Sequence, residues 1–178
     1  MLTLSTKMLN YRRAINNGDW SRSGQFCMLD FPVESLAGKT LGIVGYGDLG
    51  KGVANLARAF GMTILIAARQ GQHPANGRIP LAQLLPQVDI LSLHCPLTPA
   101  TTNLIDWAEL CALPNSALLI NCARGGVVNE VALIKALDEG QISGAGVDVL
   151  TQEPPPIDHP LLAVQRDNLI ITPHTAWA

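Results

Sequence analysis

The stretch Leu41-Gly42-Ile43-Val44-Gly45-Tyr46-Gly47-Asp48-Leu49-Gly50 decides how this chain is read. Leu41 to Val44 has the length and composition of a buried strand, and it runs directly into G-x-G-x-x-G and then into a segment of helical periodicity. Gly45 permits the sharp turn at the strand end, Gly47 lets a pyrophosphate approach the main chain, and Gly50 lets the helix lie close against the strand. The helix N-terminus favours the anion, because its first amides are unpaired and its dipole points the same way. In this strand-turn-helix context the motif reads as dinucleotide-binding, with Tyr46, Asp48 and Leu49 as the rest of the loop; glycines of purely structural use are the weaker reading.

Outward from this turn, aliphatic runs recur at Leu41–Val44, Met62–Ile66, Val88–Leu93, Ala117–Ile120, Ala145–Leu150 and Leu169–Thr172. They read as buried parallel strands, with helix-length segments between most of them. Leu49, Val53, Leu56 and Phe60 fall on one helical face, and Gly61 ends that helix. A later helix is predicted from an Asn129 N-cap to Gly140, carrying Val131, Leu133, Ile134 and Leu137 inward. Shorter helices are predicted within Ile79–Leu85 and Asp106–Ala112. Strand and helix alternating through about six strands predict an α/β fold, a doubly wound parallel sheet of the Rossmann type, in the order 3-2-1-4-5-6.

The division expected is residues 1–39, an N-terminal helix and connecting segment, and residues 40–178, the dinucleotide-binding domain. Leu4, Met8, Tyr11 and Ile15 make an apolar stripe that needs a partner, and Asn17-Gly18 ends its helix.

Composition agrees with one domain. The 178 residues carry a formal charge of -2, and 48% are hydrophobic against 15% charged, which excludes a disordered polar chain and a nucleic-acid binder relying on bulk positive charge. With three Phe, two Tyr and three Trp, the core must be largely aliphatic. No apolar run approaches the length of a membrane span, and the first residues lack the unbroken apolar stretch of a secretory signal, so a cytoplasmic protein is expected. Cys27, Cys95, Cys111 and Cys122 show neither CxxC pairing nor metal-ligand spacing and are expected to be buried, reduced thiols.

A carboxylate for the adenosine ribose should follow the second strand, but that strand ends Ile66-Ala67-Ala68-Arg69. The missing acid, with Arg69 beside Ala68, favours the 2′-phosphate of NADP over NAD; a solvated surface arginine with relaxed cofactor choice is the alternative. Further polar residues fall at strand carboxyl ends: His94-Cys95-Pro96, Arg124, Asp148 and His174. In an open α/β sheet, that edge is where a ligand lies.

Asn121-Cys122-Ala123-Arg124-Gly125-Gly126, Gly144-Ala145-Gly146-Val147-Asp148-Val149, Glu153-Pro154 and Thr172-Pro173-His174 together resemble the D-isomer-specific 2-hydroxyacid dehydrogenases, in order and spacing, over nearly the whole chain. Gln25-Phe26-Cys27, Asp30-Phe31-Pro32 and His174-Thr175-Ala176-Trp177-Ala178 look most like the glycerate dehydrogenase, or hydroxypyruvate reductase, branch. The resemblance implies interconversion of a 2-keto acid such as hydroxypyruvate or glyoxylate with its D-2-hydroxy acid, using NAD or NADP. It also implies roles. Arg124 would hold the substrate carboxylate or polarise its carbonyl, His174 would exchange the proton, and Glu153 would orient the imidazole. Asp148 would meet the nicotinamide carboxamide, Cys95 and Pro96 would line the adenine side, and Cys122 and Ala123 would belong to the cofactor site. Trp177 would wall the substrate pocket, whereas Trp20 and Trp107 read as packing residues and His73 and His159 as solvent-exposed loop residues.

Members of this family also have a substrate domain, expected to be missing from this chain, and the N-terminal helix region would serve a homodimer contact. A second reading, from the corepressors of the same family, is a non-catalytic NAD(P)-binding module acting through cofactor-dependent assembly.

Overall fold

A computed structural model describes residues 1–69, 71, 77–163 and 165–177. His73, expected to be exposed, lies outside the described residues. Three short helices, α1 (Leu2–Ser5), α2 (Met8–Asn16) and α3 (Asp19–Ser23), precede the sheet. Then follow β1 (Thr40–Val44), α4 (Asp48–Ala59), β2 (Thr63–Ile66), α5 (Leu81–Leu84) with a 3-10 turn at Leu85–Gln87, and β3 (Ile90–Leu93). The chain continues through α6 (Trp107–Ala112), β4 (Leu118–Asn121), α7 (Glu130–Asp138), β5 (Gly144–Val147), α8 (Pro160–Ala163) and β6 (Leu169–Ile171). All strand pairs are parallel. Among the described residues no helix is long and apolar enough to cross a membrane.

The fold class is the expected Rossmann-type sheet, but its order is β2-β1-β3-β4-β5-β6, which corrects the order 3-2-1-4-5-6. Burial explains the difference. Every residue of β3 is buried, so it needs neighbours on both edges and cover on both faces, whereas β2 has an exposed Thr63 and only half-buried residues after it. Among the described residues a single bridge, from Ala67 to Ile79, flanks the outer side of β2 just past its end. The chain therefore leaves β1 toward β2 on one side and returns through β3 on the other. The loops after β1 and β3 diverge there, which opens the ligand crevice of an open α/β sheet.

Alternate strand residues build two cores. Leu91, Leu93 and Leu119 pack with Leu110 and Leu133 on one face, while Leu41, Ile43, Ile90, Leu118 and Ile120 pack with Ala54 and Ala57 of α4 on the other. Helix α4 meets the sheet through Gly50, Ala54 and Ala57. The face formed by Leu49, Leu56 and Phe60 is turned outward, with those residues 77%, 66% and 50% exposed, so it is not the buried face. Small residues win the inner face because they let the helix axis approach the strands.

Helix α7 is capped as expected, with Asn129 Oδ1 accepting from the amides of Val131 and Ala132 at 3.1 and 3.2 Å. Leu133 and Leu137 are buried and Ile134 packs against the core, but Val131 is exposed and does not face inward. Helix α6 has a full capping box between Asp106 and Glu109. Of the cysteines, all free, only Cys95 is buried; Cys27 is half-buried, and Cys111 and Cys122 are exposed because they sit on a helix flank and a strand-end loop.

The N-terminal stripe is split by a break at Thr6-Lys7, where Lys7 is left-handed (φ 53°). Leu4 is buried beside Gly144 and Gly146 of β5. Tyr11 packs edge-on against Phe31 and donates to its carbonyl oxygen at 2.7 Å. Met8 and Ile15 remain exposed. Trp107 does pack on the core, under Lys135 Nζ at 3.8 Å from the ring centroid, but Trp20 is 47% exposed and is not a core residue.

Because Leu4 fills the space over two glycines that have no side chains of their own, the Leu4→Ala variant is expected to lose about 2–5 kcal/mol of stability in urea unfolding. A loss within experimental error of zero would show that α1 is not part of the sheet's cover.

Candidate active site at the carboxyl edge of the sheet

The glycine turn is forced by contact. Gly45 has φ 92°, and a Cβ there would stand 2.6 Å from the His94 carbonyl and the Cys95 nitrogen. The turn after β1 is thus pressed against the end of β3, and a side chain would pry the two apart. Gly47 precedes α4 with open space where its Cβ would be, and no side chain caps the helix. The first amides of a helix of 12 residues therefore face an uncrowded crevice, an arrangement suited to a pyrophosphate. Tyr46 is half-buried against the α4 side of the core, while Asp48 and Leu49 are exposed on the first turn.

On the β3 side of the crevice, Cys95 is buried and burial pushes its thiol pKa up, while Pro96 is exposed and its carbonyl accepts from Thr101 Oγ1 at 2.6 Å. His94 shares a 2.9 Å hydrogen bond with Ser92 Oγ, and burial pushes its pKa down. At the end of β2, Ala68 donates to the Ile79 carbonyl at 2.7 Å. Arg69 is exposed with no ion-pair partner among the described residues. The same bridge brings Arg78 to this strand end, a second cation that nothing in the local sequence signals.

After β4, buried Asn121 organises the turn: its Oδ1 accepts from the Ala123 amide at 3.1 Å and its Nδ2 donates to the Arg124 carbonyl at 3.1 Å. Ala123 is buried and Cys122 exposed. The Cys122 thiol pKa is raised by desolvation and by the charge of Asp148. The exposed Arg124 guanidinium donates to the neutral Ala123 carbonyl at 2.7 Å and has no carboxylate partner among the described residues, so its charge is left uncompensated. Gly125 follows, and a Cβ there would overlap the Leu150 carbonyl, so the Arg124 loop rests on the backbone of the loop after β5.

That second loop carries Glu153, which pairs with His174 from the loop after β6. Glu153 Oε2 is 2.6 Å from His174 Nδ1, and Glu153 Oε1 accepts from the Leu150 amide at 2.8 Å. His174 lies after β6 with φ 52°, a conformation that non-glycine residues avoid. Asp148, 4% exposed, holds it there. Its carboxylate accepts from Thr172 Oγ1 and, at 2.9 Å each, from the amides of Thr175 and Ala176, while its carbonyl accepts from His174 N–H at 2.9 Å. Asp148 therefore directs most of its acceptors into the His174 loop. Trp177, 82% exposed, donates from Nε1 to the His174 carbonyl at 2.8 Å.

His159 is 7% exposed, which corrects the expectation of a solvated loop histidine. Its Nδ1 accepts from the Leu161 amide at 3.3 Å at the start of α8, and its Nε2 faces Glu130 Oε2 at 3.2 Å. The structure thus gathers the glycine turn, Arg124, Asp148, Glu153 and His174 along one edge of the sheet. The bracing role of Asn121 and the contact between Glu130 and His159 were not visible in the sequence, because both depend on side-chain geometry.

A glycine turn feeding an uncapped helix at the switch point of a parallel sheet defines an NAD(P)-binding α/β domain. Residues 1–176 match the family of the D-isomer specific 2-hydroxyacid dehydrogenase NAD binding domain, and the chain belongs to that family. It is 46% identical over its full length to a glycerate dehydrogenase of Methylorubrum extorquens, covering 56% of that protein, in agreement with the branch expected from the sequence. Among solved structures, an acyclic imino acid reductase in complex with NADPH and D-Arg superposes with a TM-score of 0.83 at 28% identity, over 99% of this chain and 55% of that one. D-lactate dehydrogenase with NAD+ from Lactobacillus jensenii gives 0.82 at 30% identity, over 99% and 56%. The chain thus spans about half the length of the curated relatives it matches.

The carboxylates set a pH limit on the edge. For Glu153 the hydrogen bond from His174, then that from the Leu150 amide, holds the pKa below the usual carboxylate range. For Asp148 burial opposes the charge, but the bonds from Thr172, Ala176 and Thr175 together with nearby His174 outweigh it, and its pKa is also lowered. Folded-state values below the unfolded ones mean a contribution that is complete above the ordinary range of about 3.9–4.3 and lost as pH falls through the lower folded values. The amide proton shifts of Thr175 and Ala176, followed by NMR, should stay constant down to about pH 4 and titrate only below it. A midpoint at or above the ordinary range would contradict the clamp.

Proposed function

We propose that this chain is the cofactor-binding part of an NAD(P)-dependent D-2-hydroxyacid dehydrogenase, interconverting a 2-keto acid of the hydroxypyruvate or glyoxylate type with its D-2-hydroxy acid. The observation that carries this reading is the 2.6 Å pairing of Glu153 with His174 Nδ1 on the same edge as an uncompensated Arg124. A passive dinucleotide-binding module has no use for an oriented imidazole beside a free cation, so the non-catalytic alternative is the weaker account.

In this reading residues 40–178 form the dinucleotide-binding domain, and the turn Gly45, Tyr46, Gly47, Asp48, Leu49, Gly50 holds the pyrophosphate at the start of α4. Cys95 and Pro96 flank the adenine side, and Cys122, Ala123 and Asp148 the nicotinamide side. A bound nicotinamide supplies hydride exchange with C2 of the substrate. Arg124 grips the substrate carboxylate or carbonyl oxygen, which draws charge toward oxygen as it develops. Glu153 accepts a hydrogen bond from Nδ1–H of His174, which fixes the tautomer and leaves Nε2 as the proton-exchanging atom. In reduction Nε2–H gives its proton to the oxygen on C2; in oxidation neutral Nε2 takes it back. Arg69, joined at that strand end by Arg78, favours the 2′-phosphate of NADP.

Self-association as a homodimer fits the apolar surface outside this edge. Phe26, Leu29 and Val33 of the connecting segment are 91%, 81% and 60% exposed, and the outward stripe of α4 adds Leu56 and Phe60. The surface available is thus wider than the N-terminal helix alone. Sedimentation equilibrium is expected to give twice the monomer mass, and a Phe26→Asp, Leu29→Asp variant to give the monomer; a monomeric parent chain would refute the dimer.

Oxidation of NADPH and NADH by the 178-residue chain with hydroxypyruvate tests the activity directly. Arg124→Gln is expected to lower kcat/KM by about 100-fold or more, since a charged partner of the substrate is removed. Arg69→Asp should reverse the preference from NADPH to NADH. No turnover from the folded chain while both cofactors bind would overturn the catalytic reading for this chain, and an unchanged cofactor ratio would overturn the role of Arg69.

A further inference from the structure

Two acidic side chains hold neighbouring amides in the loop after β5. Glu153 Oε1 takes the Leu150 N–H at 2.8 Å, and Glu130 Oε1, from the first turn of α7, takes the Thr151 N–H at 2.7 Å and the Thr151 hydroxyl at 2.9 Å. The same Leu150–Thr151 peptide is where Gly125 makes its backbone contact, with the Thr151 nitrogen 2.6 Å from where a Cβ would stand. Two successive peptide units that share Leu150 therefore link the three: Val149–Leu150 donates to Glu153, the partner of His174, and Leu150–Thr151 meets Gly125, the residue after Arg124, and donates to Glu130. The other oxygen of Glu130 is anchored by His159. Because His159 Nδ1 accepts from Leu161 N–H, its proton sits on Nε2 and points at Glu130 Oε2, 3.2 Å away. The His159 side chain is 9% exposed and that of Glu130 20%, so this is a shielded pair that no step of the proposed reaction uses.

We propose that Glu130 and His159 are positioning residues that fix the Leu150–Thr151 peptide and, through it, the spacing between Arg124 and the Glu153–His174 pair. The proposal rests on the catalytic reading above. A loose peptide would let Glu153 and the Arg124 loop shift relative to one another, and displacements of about 1 Å in such constellations cost around 100-fold in rate. Glu130 holds Thr151 through bonds that have counterparts in glutamine, since the side-chain amide oxygen in Glu130→Gln can still accept from Thr151; the amide N–H facing His159 Nε2–H keeps no such bond, and alanine removes every bond.

The test is made on the full 178-residue chain with 15N-labelled histidine. Glu130→Ala is expected to lower kcat by roughly ten- to a hundredfold with little change in the KM for the dinucleotide, and to shift and broaden the low-field Nδ1 proton resonance of His174. Glu130→Gln should restore most of the rate and the resonance. His159→Asn, which can keep an acceptor for the Leu161 amide but cannot reach Glu130, should change both readouts in the same direction by a smaller factor. If the variants only lower the melting temperature while kcat and the resonance stay at parent values, the positioning role is refuted. Glu153→Gln serves as the control for the underlying reading. If it leaves kcat unchanged, the Glu153–His174 chemistry fails, and a His174 resonance unmoved in Glu130→Ala would separately overturn the positioning proposal.

Discussion

The buried carboxylate of Asp148 is the interaction on which the carboxyl edge of the sheet depends. It sits one residue past β5 and gathers Thr172, Thr175 and Ala176, so the segment after β6 is shaped around it. Placing His174 in the left-handed region costs about 1–2 kcal/mol. Each hydrogen bond to a buried charge contributes about 1.5–3 kcal/mol, so three of them outweigh the strain and the loop has one well-defined form. The direction of the imidazole, and with it the pairing to Glu153, is a consequence of a carboxylate on the neighbouring strand end.

The sheet supplies the rest of that precision. Parallel register places Val44 opposite Leu93, Leu93 opposite Asn121 and Asn121 opposite Val147 across successive strands. The glycine turn, the Arg124 turn and Asp148 all begin within a residue or two of that line, so a ladder of backbone hydrogen bonds sets the spacing of the chemistry. Side chains then make local adjustments: Asn121 braces the Arg124 turn, and Gly125 lets it lie on the Leu150 carbonyl.

What the sequence could disclose follows from the range of each signal. The turn Gly45 to Gly50, the Asn129 cap and the strand-end placement of Arg124, Asp148 and His174 are local patterns, readable because period and turn chemistry are written over a few residues. Strand order is different. Whether β3 flanks β1 or β2 depends on which strand must be covered on both faces, and the burial of all four residues Ile90–Leu93 is a property of the assembled sheet. The α4 stripe misleads for a similar reason: Leu49, Leu56 and Phe60 satisfy helical periodicity, but Ala54 and Ala57 allow the closer approach. His159 resembled a surface residue because its partner, Glu130, is distant in sequence.

These two kinds of outcome point to a division within the molecule. The inward face of α4 is small and the outward face large, the reverse of a helix whose only task is to cover a sheet. Exposed Phe26, Leu29 and Val33 repeat that pattern in the segment before β1. On the carboxyl edge, beside Trp177 and Leu49, the exposed groups include Arg69, Arg124, the Glu153–His174 pair and the open amides of α4. Apolar area left in water disfavours a lone subunit by about 25 cal/mol per Å², whereas a solvated charge incurs no such penalty. The outward face of α4 is thus suited to be covered by protein and the carboxyl edge to stay open to small anions, and the one sheet separates the two because its helices lie on its faces while its ligand crevice lies at its edge.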